Sequence, residues 1–370
     1  MRVTFVNKYY PPHLGGIEYH LRDLAEELAS RDGVEVTVLV ANEGRATVEE
    51  VVGGVRVVRE SRAFAYASTP VAPRMRSRMR GLVRETDVFH LNFPYPWGEV
   101  AWLSAGRGVP SVVWYHSDIV RQKVLGALYG PVADRVLDRA SAVIAGSPQM
   151  AANSPVLQRH AAKVRVVPYG IHTERYDATP EVMRRAEELR SQHSRPVVLF
   201  VGRLVYYKGV DVLLRALPQL DCDLVAIGSG PLEGELRALA AGLGCDGRVT
   251  FLPHAGDLDL RAWYRAADVF CLPSVAPSEA FGLVQVEAHA SGTPVVSTRL
   301  GTGVEFANEH GVTGLTVEPN DPAALAEALG SLLGDESLRT RLGEQAARRA
   351  REVFSVGRMA DEVTAVYRSL

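Results

Sequence analysis

The chain has 370 residues, of which 47% are hydrophobic and 23% charged, and a formal net charge of −2. That composition excludes disordered, collagen-like and coiled-coil chains and predicts two soluble globular domains. The near-neutral balance leaves no broad cationic footprint, so nucleic acid is not an expected partner. Cys222, Cys245 and Cys271 form no C-x-x-C pair, which argues against a disulfide framework or structural zinc and for a reducing cytoplasm.

Met1-Arg2 runs directly into the apolar strand Val3–Val6, so no secretory leader is expected. No uncharged apolar run approaches the ~18 residues of a membrane span. A Pro- and Gly-containing loop then ends at Gly15-Gly16, and Ile17, Leu21, Leu24 and Leu28 recur at helical spacing. Val36–Val40, Val55–Arg59, Asp87–Leu91, Ser111–Tyr115, Ala142–Ala145 and Val164–Val167 read as further strands. Near-continuous apolar runs separated by helical segments predict a parallel sheet covered on both faces.

Between Ser61 and Arg84 stand six arginines and no acid, with Met75, Met79, Leu82 and Val83 on one helical face. This basic amphipathic helix suits an anionic membrane surface; it equally suits a solvated helix packing its apolar stripe on the sheet.

Residues 176–193 are charged, helix-like and without strand character, and mark a linker between a first domain, 1–175, and a second, 194–352. The strand and helix alternation restarts at Val197–Val201 and continues through Leu224–Ile227, Val249–Leu252, Val269–Leu272, Val295–Ser297 and Gly314–Val317. The last stretch, 353–370, is helical and expected to pack back on the first domain. The fold class is therefore α/β: two facing, doubly wound Rossmann-like domains with a ligand cleft between them, at strand carboxyl ends.

The most informative segment is Ser278-Glu279-Ala280-Phe281-Gly282-Leu283-Val284-Gln285-Val286-Glu287. Two carboxylates sit eight residues apart around a helix start near Gly282. The first N–H groups of that helix favour a phosphate, and each carboxylate can grip a pair of sugar hydroxyls. Arg203 and Lys208 follow the first strand of the second domain. Lysine is rare here, four against 37 arginines, and a fork-shaped Arg beside a point-charge Lys can neutralise a pyrophosphate without a metal. Asp221-Cys222-Asp223 and Asp257-Leu258-Asp259 read as structural acids, so no metal or other cofactor is expected.

The run E-A-F-G-L-V-Q-V-E-A-H-A-S-G-T-P-V-V resembles the retaining glycosyltransferases of the GT-B fold, family four. Val201-Gly202-Arg203-Leu204 with Lys208-Gly209 is similar to that family's G-R-L…K-G loop. Gly228-Ser229-Gly230-Pro231 is similar to its G-x-G-P turn, and Val167-Pro168-Tyr169-Gly170-Ile171-His172 to its V-P-N-G-I-D segment, from which Tyr169 and His172 depart. The resemblance implies transfer of a hexose, mannose or glucose, from a nucleotide diphosphate sugar such as GDP-mannose or UDP-glucose to a saccharide or lipid-linked acceptor. It implies Glu279 on donor-sugar hydroxyls, Glu287 on the ribose, and Arg203, Lys208 and the Phe281-Gly282-Leu283 backbone on the diphosphate. It also implies Gly16 against donor and acceptor, and His116, after Ser111–Tyr115, donating to a donor-sugar hydroxyl. The run His116-Ser117-Asp118-Ile119-Val120-Arg121-Gln122-Lys123 resembles a subgroup acting on lipid-linked saccharides. A cytoplasmic enzyme peripheral to the inner face of the membrane is the expected setting. A nucleotide-sugar 2-epimerase on the same fold and a non-catalytic nucleotide-sugar-binding subunit are the alternatives; the Gly15-Gly16 and His116 settings weigh against the first, the intact Arg203, Lys208, Glu279 and Glu287 set against the second.

Overall fold

The computed structural model describes residues 1–13, 15–66, 69–117 and 123–370, and the side chains of all of these but Tyr66 and residues 123–128. The chain divides into two compact units: Met1–Gly170 together with Val356–Leu370, and Ile171–Ser355.

The first unit is built on a sheet in the order Val164–Val166, Ala142–Ala145, Ser111–Tyr115, Val88–Phe93, Arg2–Val6, Glu35–Ala41, Val55–Glu60 and Val48–Val52. All neighbours pair parallel except the last, which pairs antiparallel with Val55–Glu60. The inner strands Val88–Phe93, Ser111–Tyr115 and Ala142–Ala145 are buried along their whole length, as a parallel sheet covered on both faces requires. Val48–Val52 escaped the sequence reading because every one of its residues is exposed and Glu49-Glu50 interrupts it; an edge strand has no buried face to write into the sequence. The final helix, Val356–Arg368, belongs to this unit. It buries Met359, Val363 and Tyr367, and Arg31 reaches Asp361 at 2.7 Å.

The helix Met75–Leu82 resolves one of the two readings left open above. Met75, Met79 and Leu82 are 0%, 0% and 3% exposed in the core of the first unit, so the apolar stripe packs on the sheet and does not face outward. Arg78 bonds the buried Glu60 at 2.7 Å, while Arg74, Arg76, Arg80 and Arg84 are exposed.

The second unit carries an all-parallel sheet in the order Val249–Leu252, Asp223–Ile227, Val197–Val201, Val269–Leu272, Val295–Thr298 and Gly314–Val317. Side chains alternate between two cores: Val198, Phe200, Leu224 and Cys271 enter one, Val197, Leu199, Val225 and Phe270 the other. The three cysteines are free and buried. The segment expected as a linker, 176–193, is instead part of this unit. Its helix Pro180–Arg190 buries Val182, Ala186 and Leu189 at helical spacing, and Arg185 is paired with Asp259 at 2.7 Å. High charge masked a genuine apolar stripe. Among the described residues no helix is long and apolar enough to cross a membrane.

Candidate active site

In the second unit the strand Val197–Val201 opens into Gly202-Arg203-Leu204. That loop stacks on the Gly228-Ser229-Gly230 turn: the Leu204 amide donates to the Ser229 carbonyl at 3.0 Å. A Cβ on Gly228 would lie 2.1 Å from the Gly202 carbonyl oxygen, and one on Gly230 2.2 Å from that of Leu204. Both glycines of the G-x-G-P turn are therefore set by backbone-on-backbone packing.

Lys208 closes a short 3₁₀ turn, Tyr206–Lys208, and Gly209 follows with φ +64°. Lys208 is 8% exposed, and its Nζ lies 2.6 Å from Oε2 of Glu279, itself 7% exposed. Ser274 Oγ donates to the same carboxylate oxygen at 3.0 Å. Thr302 Oγ1 donates to the Glu279 carbonyl at 2.9 Å. Two motifs distant in sequence thus deliver one ion pair, braced from strand ends. Arg203, on the same loop as Lys208, is exposed and has no hydrogen-bond or ion-pair partner among the described residues. Ser274 was missed in the sequence; the signal was its place just past Val269–Leu272, five residues before Glu279.

Gly282 has φ +72°, and a Cβ there would meet a Leu272 methyl at 2.5 Å. The helix Leu283–Ala290 starts directly after it, so the N–H groups of Leu283 and Val284 have no carbonyl one turn earlier in the helix. Gln285, fully buried, donates to the Phe281 carbonyl at 2.6 Å and the Val304 carbonyl at 3.2 Å, fixing the turn. Phe281, expected among the ligand-binding residues, is only 4% exposed and packs edge-on against Phe354 at 5.8 Å. Its side chain serves the core, and only its backbone is placed to serve a ligand. Glu287 lies in the second turn of the helix, where the Tyr264 hydroxyl donates to its Oε2 at 2.6 Å.

In the first unit, the helix Gly16–Ala29 begins after Gly15 in extended backbone. Apart from its chain neighbours and its own helix backbone, no atom of a described residue lies within 4 Å of the place a Cβ on Gly16 would take, so this backbone is open to close approach. A Cβ on Gly15 would sit 2.1 Å from a Glu18 carboxylate oxygen. Burial raises the Glu18 carboxyl, while a bond from its own backbone N–H opposes the rise. The Glu18 carboxylate therefore lies against the helix start from which a phosphate contact was expected, an arrangement the motif alone does not reveal. Lys8, at the end of Arg2–Val6, is held below the usual ammonium range by burial.

His116 is 4% exposed and clamped on both sides. Asn92 Oδ1 lies 2.8 Å from Nε2, and the Tyr169 hydroxyl 2.8 Å from Nδ1. A carbonyl oxygen only accepts, so Nε2 carries the proton and Nδ1 accepts from Tyr169. Burial, then the neighbouring His20 and His90, hold the imidazole neutral with its pKa well below the ordinary value. The Tyr169 ring occupies space that a side chain at position 146 would fill: a Cβ on Gly146 would lie 2.1 Å from it. His20 packs edge-on against Trp114 at 4.3 Å and Tyr169 at 4.8 Å, with no partner for either ring nitrogen among the described residues. The rest of the run after His116, from Asp118 through Gln122, lies outside the described residues, as does the Lys123 side chain.

Chemically, the second unit offers an open guanidinium, a buried ammonium–carboxylate pair and a free helix N-terminus close together in sequence and fold, a set suited to a sugar diphosphate. Among the described residues no three His, Cys, Asp or Glu side chains are grouped to hold a metal ion.

Comparison with known proteins agrees with these features. The family model described as glycosyl transferases group 1 matches residues 184–349, and that described as glycosyltransferase family 4 matches residues 14–175. The chain is 34% identical to the O-antigen chain mannosyltransferase C of Escherichia coli over 100% of this chain and 99% of that one. It is 36% identical to the D-rhamnosyltransferase WbpZ of Pseudomonas aeruginosa, covering 96% and 92%. Among solved structures, Anabaena HepE in complex with UDP-glucose superposes with a TM-score of 0.81 over 100% of both chains at 22% identity. The protein belongs to family 4 of the glycosyltransferases and is a glycosyltransferase of the GT-B fold.

Proposed function

We propose that the enzyme moves a hexose, mannose first among the candidates and glucose second, from a nucleotide diphosphate sugar to a hydroxyl of a saccharide or lipid-linked acceptor, with retention of the α configuration and without a metal ion. The names of the relatives, an O-antigen chain mannosyltransferase and a D-rhamnosyltransferase, support this sugar class. A structural neighbour's complex with UDP-glucose supports the donor class. The observation that carries the reading is the Lys208–Glu279 pair at 2.6 Å with Arg203 open on the same loop.

In the proposed reaction the bond between the anomeric carbon and the diphosphate oxygen breaks, and its electron pair leaves with the diphosphate. Arg203, Lys208 and the first N–H groups of Leu283–Ala290 stabilise that developing charge, the largest catalytic contribution. The acceptor oxygen bonds the anomeric carbon from the same face, and its proton passes to the departing phosphate oxygen. Glu279 holds donor-sugar hydroxyls and Glu287 the ribose. Gly16 serves donor and acceptor in the first unit. His116 reaches a sugar hydroxyl by exchanging one of its present partners, Tyr169 or Asn92.

Calorimetric titration with GDP-mannose, UDP-glucose and an ADP-sugar, with and without EDTA, tests this. Binding of one donor, unaffected by chelator, is the expected result. Binding that disappears with EDTA and returns with Mg²⁺ or Mn²⁺ would show that the leaving-group chemistry is misassigned.

A second reading concerns the first unit. The four exposed arginines at 74, 76, 80 and 84, above an apolar face already buried, fit electrostatic attachment to an anionic membrane surface without insertion. Each contributes about 1 kcal/mol near such a surface. Vesicle sedimentation should show binding that rises with anionic lipid and is lost in Arg76→Glu plus Arg80→Glu; equal sedimentation of both proteins would remove the membrane reading.

A further inference from the structure

We propose that the first unit carries a sugar subsite at the carboxyl edge of its sheet, where the Phe64 ring stacks on one residue of the acceptor saccharide while Arg45 and Glu43 hold its hydroxyls; this rests on the reading of the acceptor as a saccharide.

Three loops build it. Arg2–Val6, Glu35–Ala41 and Val55–Glu60 are parallel neighbours, so they end on the same edge of the sheet. Tyr9 and His13 follow the first strand, Glu43 and Arg45 the second, Arg62 and Phe64 the third. Backbone bonds carry the pairing past the strand ends: the Asn42 amide donates to the Glu60 carbonyl at 2.7 Å, and the Arg62 amide to that of Gly44 at 3.1 Å. Side chains then close a ring. His13 stacks on Tyr9 with centroids 4.2 Å apart and donates from Nδ1 to Glu43 Oε1 at 2.6 Å. Arg62 donates to the Tyr9 hydroxyl at 3.2 Å and to the Glu43 carbonyl. Beside this ring lies an open pocket of about 340 Å³, lined by Glu43, Arg45, Arg62, Ala63, Phe64 and Ala65.

The chemistry of the lining selects a sugar. Phe64 is 58% exposed, more than any other described Phe, Tyr or Trp. The negative, apolar face of such a ring matches the C–H face of a pyranose. Arg45 has no hydrogen-bond or ion-pair partner among the described residues, and neither has Oε2 of Glu43. A hydroxyl both donates and accepts, so it can use a guanidinium and a carboxylate side by side. A phosphate would instead meet the Glu43 charge, and a hydrocarbon chain would have to desolvate Glu43, Arg45 and Arg62. The loop bearing Tyr9 and His13 runs on to the helix start at Gly16. At most about 11 Å of chain separates His13 from Gly16, a span that an acceptor of several sugars crosses.

The test is NMR titration of the wild type, Phe64→Ala, Phe64→Trp and Arg45→Ala with α-linked mannotriose and with maltotriose, alongside GDP, UDP and sedimentation with phosphatidylglycerol vesicles. One trisaccharide should bind the wild type. Its affinity should fall about three- to tenfold in Phe64→Ala and persist in Phe64→Trp, the worth of one aromatic stack. Arg45→Ala should cost about threefold or more in the same titration. Nucleotide affinity should not change in any variant. A Phe64→Ala protein that binds trisaccharide as tightly as the wild type overturns the subsite. So does a wild type that binds neither trisaccharide; nucleotide binding in the same samples then leaves the donor reading standing, and its absence removes that reading as well. Weaker vesicle binding by Phe64→Ala at unchanged trisaccharide affinity also overturns the subsite and assigns the ring to a lipid surface.

Discussion

Nζ of Lys208 and Oε2 of Glu279 lie 2.6 Å apart, and both residues are more than nine-tenths buried. A buried pair of this kind is costly to break from one side, because the remaining charge has neither water nor partner. Lys208→Met should therefore lower unfolding stability by about 3 kcal/mol. Lys208→Met combined with Glu279→Gln should recover much of that loss, while neither protein transfers sugar. Chemical denaturation measures it; a double variant no more stable than the single would contradict the pairing.

Arg203 makes the complementary case. Its guanidinium is exposed and has no partner among the described residues, so Arg203→Ala should unfold like the wild type. One charge-assisted contact to the diphosphate is worth ~1.5–3 kcal/mol, so transfer should fall by roughly 10- to 150-fold. Unchanged rate and donor affinity would remove Arg203 from the phosphate site.

The clamp on His116 is tested through Tyr169. Tyr169→Phe removes the donor to Nδ1 and leaves the buried ring in place, so the fold should persist. Turnover should fall by about three- to tenfold, the worth of one neutral hydrogen bond. The Nδ1 resonance of ¹⁵N-labelled His116 should move in the same variant. Gly146→Ala, which places a methyl 2.1 Å from the Tyr169 ring, should disturb both stability and the resonance. A wild-type spectrum and rate in Tyr169→Phe would show that the hydroxyl plays no part.

Much of the fold could be read from the chain. Inner strands such as Ser111–Tyr115 and Val197–Val201 announce themselves because both faces are buried and nearly every residue is apolar. Val48–Val52 does not, because an edge strand leaves no such trace. The helix Pro180–Arg190 hid its Val182, Ala186 and Leu189 stripe beneath six charged residues. At the site, the residue types carrying the chemistry were legible from motif context, but their geometry was not. Nothing in the spacing of Tyr169 and His116, or of Tyr264 and Glu287, brings them together; strand order and helix packing do. Phe281 shows the converse, since its motif marks the ligand loop while its ring belongs to the core.

Acid should weaken the first unit through its buried histidines. Burial pushes the His20 pKa down from the ordinary 6.5 to about 3. The unfolded chain therefore takes up a proton below pH 6.5 that the folded chain refuses until about pH 3, so this part of the stability is complete above pH 6.5 and is lost as pH falls. His20→Phe removes the group, and its loss of stability below pH 6.5 should be shallower than that of the wild type by about 1.4 kcal/mol per pH unit. Denaturation curves at stepped pH measure the difference; parallel stability profiles would contradict it.

Retaining sugar transfer from a nucleotide diphosphate donor is the chemistry proposed for this enzyme. Its most direct measurement follows nucleoside diphosphate release from GDP-mannose and UDP-glucose, with and without a lipid-linked saccharide acceptor, and reads the anomeric configuration of the new linkage by NMR. Acceptor-dependent release with one donor, and an α-linked product from the α-linked donor, are the expected results. A β-linked product, or release from neither donor in the presence of acceptor, would contradict it.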